Sequence, residues 1–238
     1  IIIKGRSKEE VLLSTYICHP SMGNDNVSGI VLLKAIAENL QRKQNMHYTY
    51  RIIFIPETIG SIIYINKNLN KLKKNVKAGF IVTCVGDDNN YSYLETKMTN
   101  SLSDKVAQFA FKYKKIKYIS YPYLERGSDE RQFSSPGVDL PIGSIMRTKH
   151  SIYKEYHTSL DNLDFISPKG FEGAFDIYKL VIELLEMNRF YLTNFICEPF
   201  LSKRKFKDSI GGNKIKNKDK NVINFIAYAD GKTDLIDI

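Results

Sequence analysis

Short apolar runs alternate with longer amphipathic stretches along this chain, the pattern of strands alternating with helices. Val11 to Ile17 (VLLSTYI) is apolar and β-favouring and predicts a buried strand. Turn formers in Gly23-Asn-Asp-Asn-Val-Ser-Gly29 follow, and Val27, Ile30, Val31, Lys34-Ala35 and Leu40 then recur near a 3.6-residue period, predicting a loop and a helix. Tyr48 to Ile55 (YTYRIIFI) predicts a second buried strand stopped by Pro56, with a short helical stretch from Ser61. Ala78 to Val85 and Tyr91 to Leu94 predict two more strands, and Ser101 to Lys114 a helix in which Ser101 and Asp104 form a capping box. Strands are expected at Lys117 to Ser120 and Val138 to Met146, before a long helix that Ser167-Pro168 opens and that reaches about Arg189. The whole predicts an α/β fold, a mostly parallel sheet with helices on both faces.

In such sheets ligands bind at the carboxyl ends of the strands, which singles out five side chains. His19 follows the first strand, Asp25 sits in the turn before the first helix, and Glu57 comes directly after Pro56. Asp129 lies in the loop Gly127-Ser-Asp-Glu-Arg-Gln-Phe133, and His157 in the loop before the long helix. Imidazole and carboxylate are zinc ligands, and a carboxylate left over can serve as a base. Taken singly, each residue fits an ordinary role as well: Asp25 and Asp129 as helix or turn caps, Glu57 at a helix N-terminus, His157 as a loop histidine. Arg126, Arg131 and Arg147 share these loops and suit a carboxylate or phosphate clamp. His150 could face the pocket, although its Lys-His-Ser loop is an ordinary place for an exposed histidine, and Asp161 and Asp164 read as groups that order the His157 loop or accept from its imidazole.

Composition narrows the picture only a little. With 43% hydrophobic residues over 238 positions, the chain can bury a sizeable core. No stretch reaches the roughly 20 apolar residues of a membrane helix. Cys18, Cys84 and Cys197 show no paired spacing, which predicts reduced thiols and a cytoplasmic location. Cys18 adjoins His19, yet strand alternation would send the two side chains to opposite faces, so Cys18 is left outside the expected site. The net charge of +9 is concentrated from Ser202 to Asn221, where eight Lys or Arg minus two Asp give +6. Such a run reads as a solvated connector, and without an interleaved aromatic stripe it argues against nucleic-acid contact. The chain lacks an initial Met and stops mid-pattern at Leu235 to Ile238, so a piece of a longer protein is expected.

His19, the GNDNVSG loop, Glu57 before xGS, SDERQF and YHTSLDNLDFI together resemble the ordered metal motifs of the co-catalytic zinc aminopeptidases and glutaminyl cyclases. STYICHPS, FIPETIGSI, GSDERQF and PIGSIMRT resemble, more closely, bacterial aminopeptidase-like proteins with a C-terminal winged helix, a domain-of-unknown-function family found with surface-polysaccharide genes. The resemblance implies that His19, Asp25 and Asp129 hold one zinc, that Asp25 can bridge to a second metal together with His157, and that Glu57 is the general base. Two departures stand out. Thr58 replaces the second of two consecutive Glu residues, which implies one firm zinc and a second position that is weak or empty. His19 is followed by Pro20-Ser21, without the Asp that orients the family's first histidine.

The expected domains are an aminopeptidase-like domain over 1–194, a basic connector over 195–221 and the beginning of a winged helix over 222–238. Phe195 to Phe200 and Ser209-Ile-Gly-Gly212 resemble the family's connector, and Leu235 and Ile238 have helical spacing. The expected activity is zinc-dependent hydrolysis of an amide, with a peptide N-terminus or an N-acylated sugar as substrate. The alternative is a catalytically silent ligand-binding or regulatory protein that uses the metal cleft and the winged helix. Nucleic acid enters only through the winged helix, no membrane partner is expected, and the oligomeric state is not legible.

Overall fold

A strand that is apolar on both faces must be covered on both faces, and β2 (Glu10–Ile17) is buried at every position before Ile17. It pairs in parallel with β3 (Thr49–Pro56) on one side and β4 (Val76–Ile81) on the other. A computed structural model describes residues 1–200 and 217–238 of the chain and divides it into two units, Ile1–Glu186 and Met187–Ile238. In the first unit, β1 (Ile2–Ile3) runs antiparallel to β3, and β7 (Ile142–Met146) parallel to β4. Beyond β7, β5 (Ser92–Leu94) lies antiparallel to it and parallel to β6 (Ile119–Tyr121). The sheet order is therefore β1-β3-β2-β4-β7-β5-β6, a mixed sheet whose centre is parallel.

Helices cover both faces, as expected. On one, Leu12, Tyr16, Ile53 and Ile81 pack with Ile65 and Leu72 of α2 (Ile59–Asn75) and Phe133 of α4 (Glu130–Phe133). On the other, Phe80 meets Tyr178 of α5 (Pro168–Met187) edge to face at 6.2 Å, and the Tyr178 hydroxyl donates to the Ile145 carbonyl at 2.9 Å. Gly29 begins α1 (Gly29–Arg42) so close to the sheet that a Cβ there would stand 2.4 Å from the Val82 carbonyl oxygen. α3 (Leu102–Lys114) starts with the capping box expected from Ser101 and Asp104. At the opposite edge from the strand carboxyl ends, Arg51 donates Nε to Glu10 Oε2 at 2.5 Å and Nη2 to Oε1 at 2.8 Å, tying β3 to β2 in the interior.

Several elements differ from expectation. α1 buries Leu32, Leu33, Ile36, Ala37 and Leu40, while Val27 and Val31 are exposed. The helix carries two overlapping apolar stripes, and contact with the sheet selects the one that periodicity alone did not favour. β4 stops at Ile81 and β7 begins at Ile142, so the expected strand positions 82–85 and 138–141 lie outside the strands, although Val82, Cys84, Val85 and Leu140 are buried. In the second unit, β8 (Phe190–Leu192) pairs antiparallel with β9 (Asp230–Asp234), and α6 (Asn217–Tyr228) begins within the segment expected as connector. Leu235 follows β9 in a turn rather than a helix, closed by Asp234, whose carboxylate accepts from the Asp237 amide at 3.1 Å and whose carbonyl accepts from the Ile238 amide at 3.3 Å. Ser209 to Gly212 and most of the basic run lie outside the described residues. Among the described residues no helix is long and apolar enough to cross a membrane.

Candidate metal centre

Three of the five expected residues converge. Donor atoms of His19, Asp25 and His157 all lie within 4.8 Å of one another. His157 Nε2 is 3.2 Å, and His19 Nδ1 3.6 Å, from Asp25 Oδ2, and the two imidazole rings are 4.3 Å apart. His19 and His157 both adopt positive φ, 49° and 55°, a costly backbone state for a residue with a side chain. Thr58, beside Glu57, and Cys84 also have positive φ.

The loop carrying Asp25 is held from below on every side. Asn24, Asp25 and Asn26 are buried. The Asp161 carboxylate accepts from the Asn24 amide at 2.6 Å and the Asp25 amide at 3.0 Å. Asn24 Oδ1 accepts from the Gly86 amide at 2.8 Å, and Asn26 Nδ2 donates to Thr15 Oγ1 at 2.8 Å. The Tyr16 hydroxyl donates to Asp25 Oδ1 at 2.5 Å and lies 2.6 Å from Thr83 Oγ1. Burial, together with the negative surroundings of Cys84 and Asp25, pushes the Tyr16 phenol well above its usual range, so it remains a donor. Asp25 caps no helix, since α1 has no side-chain cap bond. Its side chain is thus free for a cation apart from the Tyr16 bond and the two histidines.

Glu57 stands with a different pair. Its carboxylate, Cys18 Sγ and a His19 nitrogen lie within 4.8 Å of one another. Strand alternation alone predicts that Cys18 turns away from His19. β2 ends at Ile17, however, and the left-handed turn at His19 ends the alternation, so Cys18 Sγ comes to 3.6 Å from His19 Nε2. Burial first, and then Glu57, push the Cys18 thiol up to about 11, so it is a neutral neighbour of the carboxylate in the metal-free protein. Just beyond, the Ile59 amide donates to the Glu57 carbonyl at 2.6 Å around Thr58 (φ 59°, ψ −66°), a γ-turn that is rare for a β-branched residue.

Asp129 is near this base and outside both groups. Its Oδ1 accepts from the Thr58 amide at 2.8 Å and the Ser61 hydroxyl at 2.9 Å, holding the start of α2 rather than its own turn. Its Oδ2 is buried and unpartnered. Burial raises its carboxyl to about 6, with the Glu57 charge adding and the Thr58 and Ser61 bonds opposing. The turn of Asp129 is instead held by the adjacent Glu130, whose Oε1 accepts from the Gly127 and Ser128 amides at 2.7 and 2.8 Å.

The remaining candidates separate clearly. His150 is buried against Gly127 rather than exposed, and burial followed by the Lys149, Arg131 and His157 charges lowers it to about 4. Arg131 donates to Thr58 Oγ1 at 3.2 Å, Arg126 lies over Tyr123, and Arg147 lies over Tyr91. In the His157 loop the Asn162 side chain accepts from the Asp164 amide at 2.8 Å, so Asn162 rather than the Asp164 carboxylate orders that turn. Cys18 and Tyr16 are the two neighbours that sequence reasoning missed. The adjacency of Cys18 to His19 was a visible signal, whereas nothing local marked Tyr16.

Residues 1–188 match the family described as Domain of unknown function (DUF4910), and residues 189–238 match a winged helix-turn-helix. The chain belongs to the DUF4910 family. A curated relative from Clostridium acetobutylicum, provisionally named a polysaccharide biosynthesis protein with aminopeptidase-like domain, is 43% identical over 238 residues, which cover 99% of this chain and 54% of the relative. The chain thus spans about half the length of the curated relative it matches. A crystal structure of a provisionally named peptidase from the same organism shares 40% identity at a TM-score of 0.89, over 100% of this chain and 53% of that one. The DUF4910 fold is aminopeptidase-like. A zinc aminopeptidase from Bacillus subtilis superposes at a TM-score of 0.67 with 18% identity, over 77% of this chain and 48% of that one. A glutaminyl cyclase from Porphyromonas gingivalis superposes at 0.63 with 16% identity, over 77% and 75%. These last two bear on the fold alone.

Proposed function

We propose that this protein is a zinc-dependent hydrolase of amide bonds. The observation that carries the reading is the convergence of His19, Asp25 and His157 donor atoms within 4.8 Å, next to the Glu57 carboxylate. Two imidazoles and a carboxylate are a zinc set. Two buried polar atoms without partners, His19 Nδ1 and Asp129 Oδ2, fit an absent cation. His19, Asp25 and His157 would hold the metal, with Asp129 as the further carboxylate that the family resemblance assigns. A zinc there supplies Lewis-acid polarisation of a carbonyl oxygen and water acidified to a pKa of about 7. Glu57, which forms no ion pair with a lysine or arginine among the described residues, accepts the proton as water adds to the carbonyl and returns it to the departing nitrogen. Asp161 and Tyr16 keep the Asp25 loop in place meanwhile.

One zinc is expected rather than two. Thr58 supplies no carboxylate, and its amide and hydroxyl are already engaged by Asp129 and Arg131. That same feature favours the second reading, a silent protein that binds ligands in the metal cleft. The substrate amide is proposed as a peptide N-terminus, from the fold, or an N-acyl group of a sugar, from the name of the Clostridium relative. The winged-helix match supports nucleic acid as a second proposed partner, and three free cysteines accord with a cytoplasmic location.

Elemental analysis of the purified full-length protein tests the metal. About one zinc per chain in the wild type, lost in Asp25→Ala, is expected. A wild type that stays metal-free after zinc addition overturns the reading. Turnover of an amide panel abolished in Glu57→Gln, with zinc retained, distinguishes the hydrolase from the silent binder.

A further inference from the structure

Arg147 follows the last residue of β7 and is buried, with 5% of its surface exposed. Its guanidinium lies 3.8 Å from the centroid of the Tyr91 ring. α5 approaches both groups so closely that a Cβ on Gly173 would stand 2.6 Å from Arg147 Nη1 and closer still to the Tyr91 hydroxyl. Among the described residues no carboxylate lies within ion-pair distance of it, and its Nε is buried with no hydrogen-bond partner. A buried charge ordinarily has a counter-charge, since desolvation without one is expensive.

This guanidinium lines a cleft of about 550 Å³, within the range of small-molecule sites. Two lysines stand with it, Lys117 and Lys169, and the amides of Asn89 and Asn90 line the same space. Acidic residues are present too. Asp88 is neutralised by Lys169 at 3.4 Å, and Asp176 by Lys114 at 3.5 Å. Glu172 is exposed, and its charge is solvated. Among the described residues, Arg147 and Lys117 are then the cations of this cleft that no carboxylate pairs. The metal centre uses neither of them.

We propose that this cleft is an oxyanion site, in which Arg147 forks onto the phosphate or carboxylate group of a small polar molecule and Lys117 adds a second cation. Phosphate and carboxylate both match the planar fork of arginine. A cleft larger than a bare ion, with two side-chain amides on its wall, suits an anion carried on a hydroxyl-rich body such as a sugar. The site is joined to the metal loop through one carboxylate. Thr148, next to Arg147, donates its amide to Asp87 Oδ2 at 3.0 Å, and Asn24 Nδ2 donates to the same oxygen at 3.2 Å.

Calorimetric titration of the full-length protein, with inorganic phosphate, glucose 1-phosphate and glucuronate as separate probes, tests this. Saturable binding of at least one probe is expected, with phosphate and glucose 1-phosphate marking a phosphate site and glucuronate alone a carboxylate site. Arg147→Met should weaken that binding by about tenfold or more, as loss of a charge-assisted bond implies. Lys117→Ala, at an exposed position, should weaken it several-fold, which keeps the test intact if Arg147→Met folds poorly. No saturable binding by any probe, or binding unchanged in a folded Arg147→Met and in Lys117→Ala, overturns the proposal.

Discussion

At the scale of single residues, the side chains behind the donors decide how well they bind. Tyr16 is the clearest case, because its hydroxyl reaches Asp25 Oδ1 at 2.5 Å from within the sheet core. Its phenol is held protonated by burial, so it restrains the carboxylate without competing for it. Tyr16→Phe should keep the fold and lower zinc affinity about 10- to 100-fold, the usual effect of losing a partner of a metal ligand. Competition against a chromophoric chelator measures this, and an unchanged affinity would reduce Tyr16 to a core-filling ring. His150 makes a different statement, about pH. Its folded value of about 4 lies below the 6.5 of an unfolded histidine. Between those values the unfolded chain binds more protons, so stability present above pH 6.5 is lost as pH falls toward 4. The loss amounts to about 3 kcal/mol. His150→Gln should flatten that part of the profile in urea unfolding with chelator present. An identical slope in wild type and variant would place the acid sensitivity elsewhere.

At the scale of elements, β2 and β3 are joined at one end by chemistry and at the other by function. Glu10 and Arg51 are both buried, and their paired bonds leave little unsatisfied. Arg51→Met would strand the Glu10 charge in the interior and should cost about 3–5 kcal/mol, most of it recovered in the double variant Glu10→Leu with Arg51→Met. Chemical denaturation checks this, and additive losses in the double variant would count against a coupled pair. The strands themselves were legible, since an apolar run such as VLLSTYI must be buried on both faces, and the Ser101–Asp104 cap was legible because it is local. The Asp25, Glu57 and His157 positions were legible as residues that follow strands or sit in turns. What escaped were outcomes set by distant contacts. The face of α1 depended on the sheet beneath it, and the burial of His150 depended on Gly127. The placement of Cys18 depended on a left-handed residue that no periodicity announces. Asp129 was expected among the ligands, and its engagement with the Thr58 amide and the Ser61 hydroxyl at the start of α2 was not legible, because those bonds join residues 71 and 68 positions apart.

At the scale of the whole molecule, the proposed metal centre would draw the His157 loop onto the carboxyl ends of β2 and β3, which the sheet already pairs as far as Ile17 and Pro56. His19 and Asp25 come from the turn after β2, Glu57 from the end of β3, and His157 from the loop before α5. The Asp161 carboxylate already ties that last loop to the Asp25 amide, so a cation would close a connection that is half made. A ligand that binds only the folded state stabilises it by about 2.7 kcal/mol at a hundredfold excess over its dissociation constant. That stabilisation should appear where the donors are. Hydrogen exchange in the full-length protein, followed by mass spectrometry with and without zinc, should slow in peptides covering 18–28, 56–62 and 153–162. Peptides from α6 and β9 belong to the second unit and contain none of the donors, so their exchange should not change. In Asp25→Ala the slowing should vanish from all three segments together, since a clasp that loses one arm releases the others. Protection that persisted in one segment after the substitution would mean that the donors bind separately and that the convergence seen around Asp25 does not act as a single site.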